Sequence, residues 1–495
     1  MKRRRGLKNW RIQNFSDEQL DLIHDATLRI WKDDGIRFRD EEALSIFKRH
    51  GVKIDGEVVH IDEKTFDQSL ESVPSEFTLH SRNSEKNVTI GGRSIALAPG
   101  YGCAFIIDAD GEHRKPTIKD YQNLVKMVQT SRVINVNGQL MAEPSDVHAN
   151  DAHLYMLFEN IRLSDKPFLG STVSRRAAID SYHMASIAWG GSDQLKDKPV
   201  MIGIISSLSP LQYSSEMAGA LIEYAKRGQV NMVGGLIMAG STGPVELPGV
   251  IVLQNAEFLA GIVLTQLINP GTPIIYGGTS SITDMRKATL SVGAPEFSIL
   301  QNAQAQLAQY YDIPCRGSGG ITDSLVPDAQ AALESSISLN TTLHSGSHFI
   351  LHACGILGAF IGMSFEKFVI DEEILAMLLK LYTPIEINEE TMDLETIKEV
   401  GIAGEYLTHP KTFQFCRSAF FQSSIAKRMN YSGWVAQGKK WMHEMAADDV
   451  AHRLESYEKP DIDPNMEFKL QEYVEAHAMG GKPIDKQAQD HKASS

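Results

Sequence analysis

The sequence predicts an α/β protein: a (β/α)₈ barrel with an N-terminal α+β extension and a C-terminal helical extension. Three observations predict it. Through the middle of the chain, short apolar runs alternate with longer stretches of helical periodicity. The runs recur mostly at roughly 30 to 43 residues, the length of a strand–helix unit. Many of them end in Gly, Ser or Thr.

The elements follow in order. Residues Ser16 to Arg49 read as two amphipathic helices, with Leu20, Leu22, Ile23, Ala26, Ile30 and Trp31 at helical spacing. Short β segments are expected at Glu57–Asp62, Glu76–Ser81, Val88–Ile90 and Ser94–Leu97, with turns at Gly91-Gly92 and Asp108–Gly111. Residues 1–110 form the N-terminal extension in this reading, and 111–375 the barrel. Its eight strands begin near Val133, Pro167, Val200, Val230, Pro273, Ile313, His348 and Phe368. Their near-continuous apolar character is that of parallel strands covered on both faces. Residues 376–495 are charged and helical, and the tail beyond about Ala478 is polar and expected to be loose.

Gly170-Ser171-Thr172, Ser206-Ser207, Gly240-Ser241-Thr242, Gly277-Gly278-Thr279-Ser280 and Gly317-Ser318-Gly319-Gly320 follow the apolar runs. They read either as ordinary turn chemistry or as the C-terminal mouth of a barrel, where small residues let a ligand come close.

A net charge of −14 argues against a nucleic-acid binder, which needs a basic surface. Four scattered cysteines without a C-x-x-C fit reduced thiols in a cytoplasmic protein. The basic start Met1–Arg5 is followed by polar sequence, so no signal peptide is expected. No uninterrupted apolar run of about 18 residues suggests a membrane span.

Few residues stand out for chemistry. His344, His348 and His352 are spaced by four. On a strand from about Ser347, His348 and His352 would share a face, as core histidines, a polar anchor or metal ligands. Arg316, after Ile313-Pro314-Cys315, would either grip a carboxylate bidentately or pair with an acidic side chain. Tyr101 lies between Gly100 and Gly102, displayed or packed in a turn. Phosphate-loop, dinucleotide, nucleophile-elbow and zinc-protease motifs are absent, and no catalytic residue is assigned.

The segments Ala98–Cys103, Gly319–Gln330 and Gly404–Pro410 resemble those of the trimethylamine:corrinoid methyltransferase superfamily, in particular its pyrrolysine-free members. The resemblance covers nearly the whole chain. It implies a (β/α)₈ barrel that docks a corrinoid protein over its mouth. Methylamine-specific members carry pyrrolysine within the stretch corresponding to Gly320–Gln330, where every residue here is standard. That makes a quaternary amine, glycine betaine first among betaines such as proline betaine, carnitine and γ-butyrobetaine, the implied methyl donor. The implied acceptor is cobalt(I) of a corrinoid held by the partner, with no cofactor or metal bound permanently. The chain is expected to form a homo-oligomer. Arg316 and His352 are the candidates for holding the carboxylate, Tyr101 and Phe360 for the ammonium, and His348 is a further candidate. Two alternatives stay open: a zinc-dependent methyltransferase using the histidines and Cys354, and a non-catalytic betaine-binding protein.

Overall fold

The structure is a computed structural model and describes residues 12–480. The basic run Met1–Arg5 and most of the expected loose tail lie outside those residues.

The two N-terminal helices form where their apolar spacing predicts, at Asp17–Asp33 and Glu41–Arg49. Ser16 starts the first with a capping box to Gln19, and Asp40 caps the second. Their apolar faces pack on the long helix Leu247–Ile268, where buried Trp31 donates its indole N–H to the Ala256 carbonyl at 3.0 Å. This helix is long and apolar enough to cross a membrane, but most of it is buried inside the fold. Most of its buried polar residues are satisfied by protein groups, while the Gln254 amide has no hydrogen-bond partner among the described residues. Asn255 donates to Thr27 and Tyr311, and Glu257 accepts from Ser207, Ser209 and the Leu211 N–H.

Seven parallel strands make the centre: β1 (Ala96–Leu97), β2 (Phe168–Gly170), β3 (Met201–Ser206), β4 (Val230–Gly234), β5 (Ile274–Tyr276), β6 (Arg316–Ser318) and β7 (Phe349–Leu351). They form two sheets, ordered β5-β4-β3-β2 and β6-β7-β1. A parallel bridge between Tyr276 and Cys315 joins β5 to the segment leading into β6. The extended stretch 135–137 lies between β1 and β2: Asn135 and Val136 donate to the Leu97 carbonyl, and Asn137 exchanges bonds with Pro167 and Leu169. This is a mixed α/β fold with helices packed outside parallel strands.

Side-chain alternation explains the apolar runs. Ala96, Val136, Leu169, Ile202, Ile204, Val230, Met232, Ile275, Phe349 and Leu351 share one buried cluster drawn from both sheets. The residues between them, such as Ile205, Val233 and Ile274, pack among the helices. Both faces are covered, so the polar alternation of a half-exposed strand never appears.

Two expectations are corrected. The run at Phe368 is not a strand but part of the helix Phe365–Leu381, capped by Ser364. Lys367, Phe368, Val369, Ile370 and Asp371 are all buried, so the run has no exposed face to reveal a helical period. The remaining parallel strand is instead the two-residue β1, inside the stretch read as the N-terminal extension. Of the Gly/Ser/Thr clusters, Gly240–Thr242 follows a short peripheral strand, Met238–Ala239, rather than one of the seven.

Candidate functional site

Most of the sequence-predicted residues meet at the C-terminal ends of the strands. Arg316 and Ser318 stand in register with Phe349 and Leu351, on the face that turns to the shared apolar cluster. The Arg316 side chain is buried; its Nη2 donates to Thr279 Oγ1 at 2.5 Å and to Ser318 Oγ at 3.3 Å. Among the described residues it forms no ion pair, and its Nε has no hydrogen-bond partner. Burial pulls its pKa down to about 10, opposed by Tyr101 and Cys315, so it stays a cation at neutral pH. A buried charge without a counter-charge is costly unless something else supplies one.

Tyr101 is held by the backbone on both sides: the Gly100 N–H donates to the Cys354 carbonyl and the Gly102 N–H to the Leu140 carbonyl. Glycine is required at 100, where a Cβ would lie 2.7 Å from Ile356 and 2.9 Å from Met363. The Tyr101 ring packs on the shared apolar cluster, and its hydroxyl hydrogen-bonds to Thr172, just beyond β2. Burial pushes its pKa up to about 12, so it is a neutral phenol.

His352 follows β7 in a left-handed conformation, φ 60°. Its Nδ1 is 3.4 Å from Ser318 Oγ, and its ring meets Phe360 edge-on at 5.0 Å. Burial first, then the charge of Arg316, hold its pKa well below the usual histidine range, so the imidazole is neutral. Phe360 also has positive φ, 76°, next to Ala359 at 50°. That backbone is fixed by the Gly358 and Ala359 N–H groups donating to Ser324 and Thr322. Such conformations in non-glycine residues persist only where surroundings over-determine them, which they commonly do at binding sites.

His348 does not join the group. It lies at the other end of β7, where its Nδ1 accepts from the Cys315 N–H at 3.0 Å. The expected shared face with His352 fails because the strand ends at Leu351 and the left-handed residue breaks the alternation. His344 packs on Tyr382 at the end of the helix Ala329–His344. The histidines therefore do not converge, and no group of three metal-capable side chains occurs among the described residues. Cys354, whose thiol is pushed well above its usual range by burial, is a protonated thiol rather than a ready ligand.

Thr172, Thr279 and Ser318 were not singled out by the sequence, although all three lie in the Gly/Ser/Thr clusters it flagged. Several glycines of those clusters make room for neighbouring chain rather than ligand. A Cβ on Gly277 would lie 2.4 Å from the Arg316 carbonyl oxygen, for instance. Lys367 and Asp371 were also missed. Lys367 Nζ donates to Asp371 Oδ2 at 2.6 Å, to Ser335 at 2.8 Å and to the Gly320 carbonyl at 3.3 Å; Asp371 accepts the Gly355 N–H. This pair ties together the backbone at 320 and at 355, on either side of His352.

The chain matches the sequence profile of the trimethylamine methyltransferase (MTTB) family over residues 4–481 and belongs to that family. It is 42% identical over 470 residues to the glycine betaine methyltransferase of Desulfitobacterium hafniense (strain Y51), covering 95% of this chain and 97% of the relative. It is 33% identical to the proline betaine:corrinoid methyltransferase of Eubacterium limosum, covering 93% and 96%. It is 31% identical to the trimethylamine methyltransferase MttB of Desulfitobacterium hafniense (strain DSM 10664 / DCB-2), covering 94% of each. Among solved structures it shares the fold of the hydroxylamine complex of MtmB, at a TM-score of 0.53 and 12% identity, covering 92% of this chain and 90% of that one. The protein is a methyltransferase of this family.

Proposed function

We propose that the enzyme moves one methyl group from a carboxylated quaternary amine, glycine betaine foremost, to cobalt(I) of a corrinoid carried by a separate protein. The observation that carries this reading is Arg316: a buried guanidinium with a free Nε and no carboxylate partner among the described residues, in a chain closely related to a glycine betaine methyltransferase. A betaine carboxylate would supply the missing counter-charge through charge-assisted hydrogen bonds. Tyr101 and Phe360 would face the ammonium as aromatic surfaces, worth about 0.5–2 kcal/mol. His352, neutral and braced by Phe360, would offer one N–H to the carboxylate. His348 is left out of this set because its ring is engaged by Cys315.

The chemistry suits these residues. The cobalt electron pair attacks the methyl carbon, the new cobalt–carbon bond forms as the carbon–nitrogen bond breaks, and that bond's electrons stay on nitrogen. The product amine leaves neutral, and no proton moves. A general acid or base is therefore unnecessary, and none of Tyr101, His352 and Arg316 changes protonation near neutral pH. Opposite charges are annihilated in the step, which a water-poor site favours.

The two sheets are read as arcs of one (β/α)₈ barrel, with the stretch 135–137 as its eighth strand. Support comes from the hydrogen bonds at both seams, Tyr276–Cys315 on one side and 135–137 on the other. The free cysteines fit a cytoplasmic site of action. The test is a panel of amines incubated with a reduced corrinoid protein and followed by visible absorbance. Glycine betaine should convert cobalt(I) to methyl-cobalt once per substrate, and trimethylamine should not react. Equal rates with trimethylamine, or choline outpacing every carboxylated betaine, would overturn the substrate assignment.

A further inference from the structure

Gly358, Ala359 and Phe360 are three successive residues in the left-handed region, with φ of 58°, 50° and 76°. Only the first is a glycine, so the other two are held there against their own preference. Two hydrogen bonds hold them. The Gly358 N–H donates to the Ser324 carbonyl at 2.8 Å and the Ala359 N–H to the Thr322 carbonyl at 2.9 Å. Both acceptors lie in the loop after β6, which has no regular secondary structure between Gly319 and Asp328. The place of Phe360 is therefore only as definite as the place of that loop.

The loop is fixed from the helix Ala329–His344 that follows it. Glu334, in the second turn of that helix, turns its carboxylate to the loop. Its Oε2 accepts from Thr322 Oγ1 at 2.5 Å and from the Asp323 N–H at 2.9 Å. The same Thr322 hydroxyl accepts the Ser324 N–H at 3.0 Å. One carboxylate oxygen thus orients both residues whose carbonyls hold 358 and 359. Thr322 is fully buried, so its hydroxyl would be left without an acceptor if Glu334 were removed. The Asp323 carboxylate is engaged elsewhere, by Ser291 Oγ at 2.6 Å and the Val292 N–H at 2.8 Å. Gly293 makes room for Glu334: a Cβ there would lie 2.2 Å from the carboxylate.

We propose that Glu334 is a positioning residue for the methyl donor: through Thr322 and Ser324 it holds the Phe360 ring where the ammonium is bound. The proposal rests on the reading of Phe360 as a face for the cation. A cation–π contact depends on where the ring centroid stands, so an aromatic on a strained backbone is useful only while that backbone is pinned. Glu334 acts here as an acceptor rather than as a charge, because the groups it binds in the loop are a neutral hydroxyl and a backbone N–H. An amide oxygen at the same place can do the same work.

The test reads ring position and substrate separately. Phe360 meets His352 edge-on at 5.0 Å, so its ring current marks the His352 Hε1 resonance, and the imidazole is neutral near pH 7. Glu334→Ala, and Gly293→Ala, which keeps the charge but displaces the carboxylate, should move that resonance in the substrate-free enzyme in the direction that Phe360→Leu moves it. Glu334→Gln, which loses the charge but keeps an accepting oxygen, should leave it in place. In methyl transfer to a reduced corrinoid protein, Glu334→Ala and Gly293→Ala should raise KM for glycine betaine and choline alike. The rise should not exceed the roughly 2- to 30-fold expected of Phe360→Leu, and KM rather than kcat should carry it. Glu334→Ala combined with Phe360→Leu should have the KM of Phe360→Leu alone, because one effect runs through the other. A His352 resonance unmoved in Glu334→Ala and Gly293→Ala would overturn the proposal, as would KM effects that add to those of Phe360→Leu. A lowered melting temperature as the sole effect would make Glu334 structural. A moved resonance with wild-type KM for both amines in every variant, Phe360→Leu included, would instead overturn the reading of Phe360 as the face for the cation.

Discussion

Arg316 and Lys367 are both buried cations, and their surroundings are opposite. Lys367 is enclosed by Asp371, the Ser335 hydroxyl and the Gly320 carbonyl, so its charge is compensated within the fold. Among the described residues Arg316 has two hydroxyls, an unpartnered Nε and no carboxylate. The first arrangement is complete and fixes backbone; the second is complete only with an anion added. Burial alone, similar in the two, does not separate a charge that the fold compensates from one that it leaves uncompensated. The inventory of partners does.

Breaking the complete arrangement should have the largest effect. Lys367→Met leaves the Asp371 carboxylate buried and uncompensated, and should lower unfolding free energy by about 3–5 kcal/mol in urea titration. Asp371 already has its pKa raised to about 6 by burial, so the loss should shrink as pH falls towards that value and the carboxyl protonates. Adding Asp371→Leu should recover most of the stability at pH 7. If Lys367→Met unfolds no more easily than wild type but abolishes turnover, Lys367 belongs to the reaction instead.

Breaking the incomplete arrangement should leave the fold intact. Arg316→Ala removes a buried charge that no carboxylate among the described residues neutralises, so the melting temperature should hold or rise. Loss of a charge-assisted contact, about 1.5–3 kcal/mol, should raise KM for glycine betaine by roughly 10- to 150-fold. A melting temperature lowered by many degrees with an ordinary KM would make Arg316 structural after all.

These two residues also mark what the sequence could tell. Arg316 was legible because it follows an apolar run where a parallel strand should end, and Tyr101 because glycines flank it. Lys367 was not, since the run at Phe368 reads as a strand and Lys367 and Asp371 meet only because it is a helix. Strand β1 falls within Ser94–Leu97, which reads as a β segment, but its two residues are not distinguishable from the short strands of the N-terminal extension, and the buried helical turn at Phe368 imitates a parallel strand. The fate of His352 turned on a single left-handed residue, which a histidine does not announce. Sequence pattern reports periodicity and loses meaning where both faces are buried or an element is shorter than its period.

A smaller effect sharpens the electrostatics around Arg316. The folded pKa of His352 lies well below the ordinary value near 6.5, so between the two values the unfolded chain binds more protons. Stability from this residue is fully present above about pH 6.5 and is lost as pH falls, at about 1.4 kcal/mol per pH unit. His352→Gln should flatten that slope in urea midpoints measured between pH 7 and 5. In Arg316→Ala the His352 resonance should titrate at higher pH than in wild type, because one of the two causes of its depression is gone. An unmoved titration would mean that burial alone sets it.

The smallest effect separates the two ends of the substrate. Glycine betaine and choline share the trimethylammonium group, but only the betaine has a carboxylate. Phe360 meets His352 edge-on, and under the proposed function its ring would face the cation, a contact worth about 0.5–2 kcal/mol. Phe360→Leu keeps an apolar side chain but removes the aromatic face, and should raise KM by roughly 2- to 30-fold for both amines alike. Arg316→Ala should penalise betaine while leaving choline nearly unchanged, so the ratio of the two kcat/KM values reports which end was touched. Steady-state rates of methyl-cobalt formation with each amine give that ratio directly. If Phe360→Leu penalises betaine alone, the ring acts by positioning His352 against the carboxylate, and the ammonium is held elsewhere.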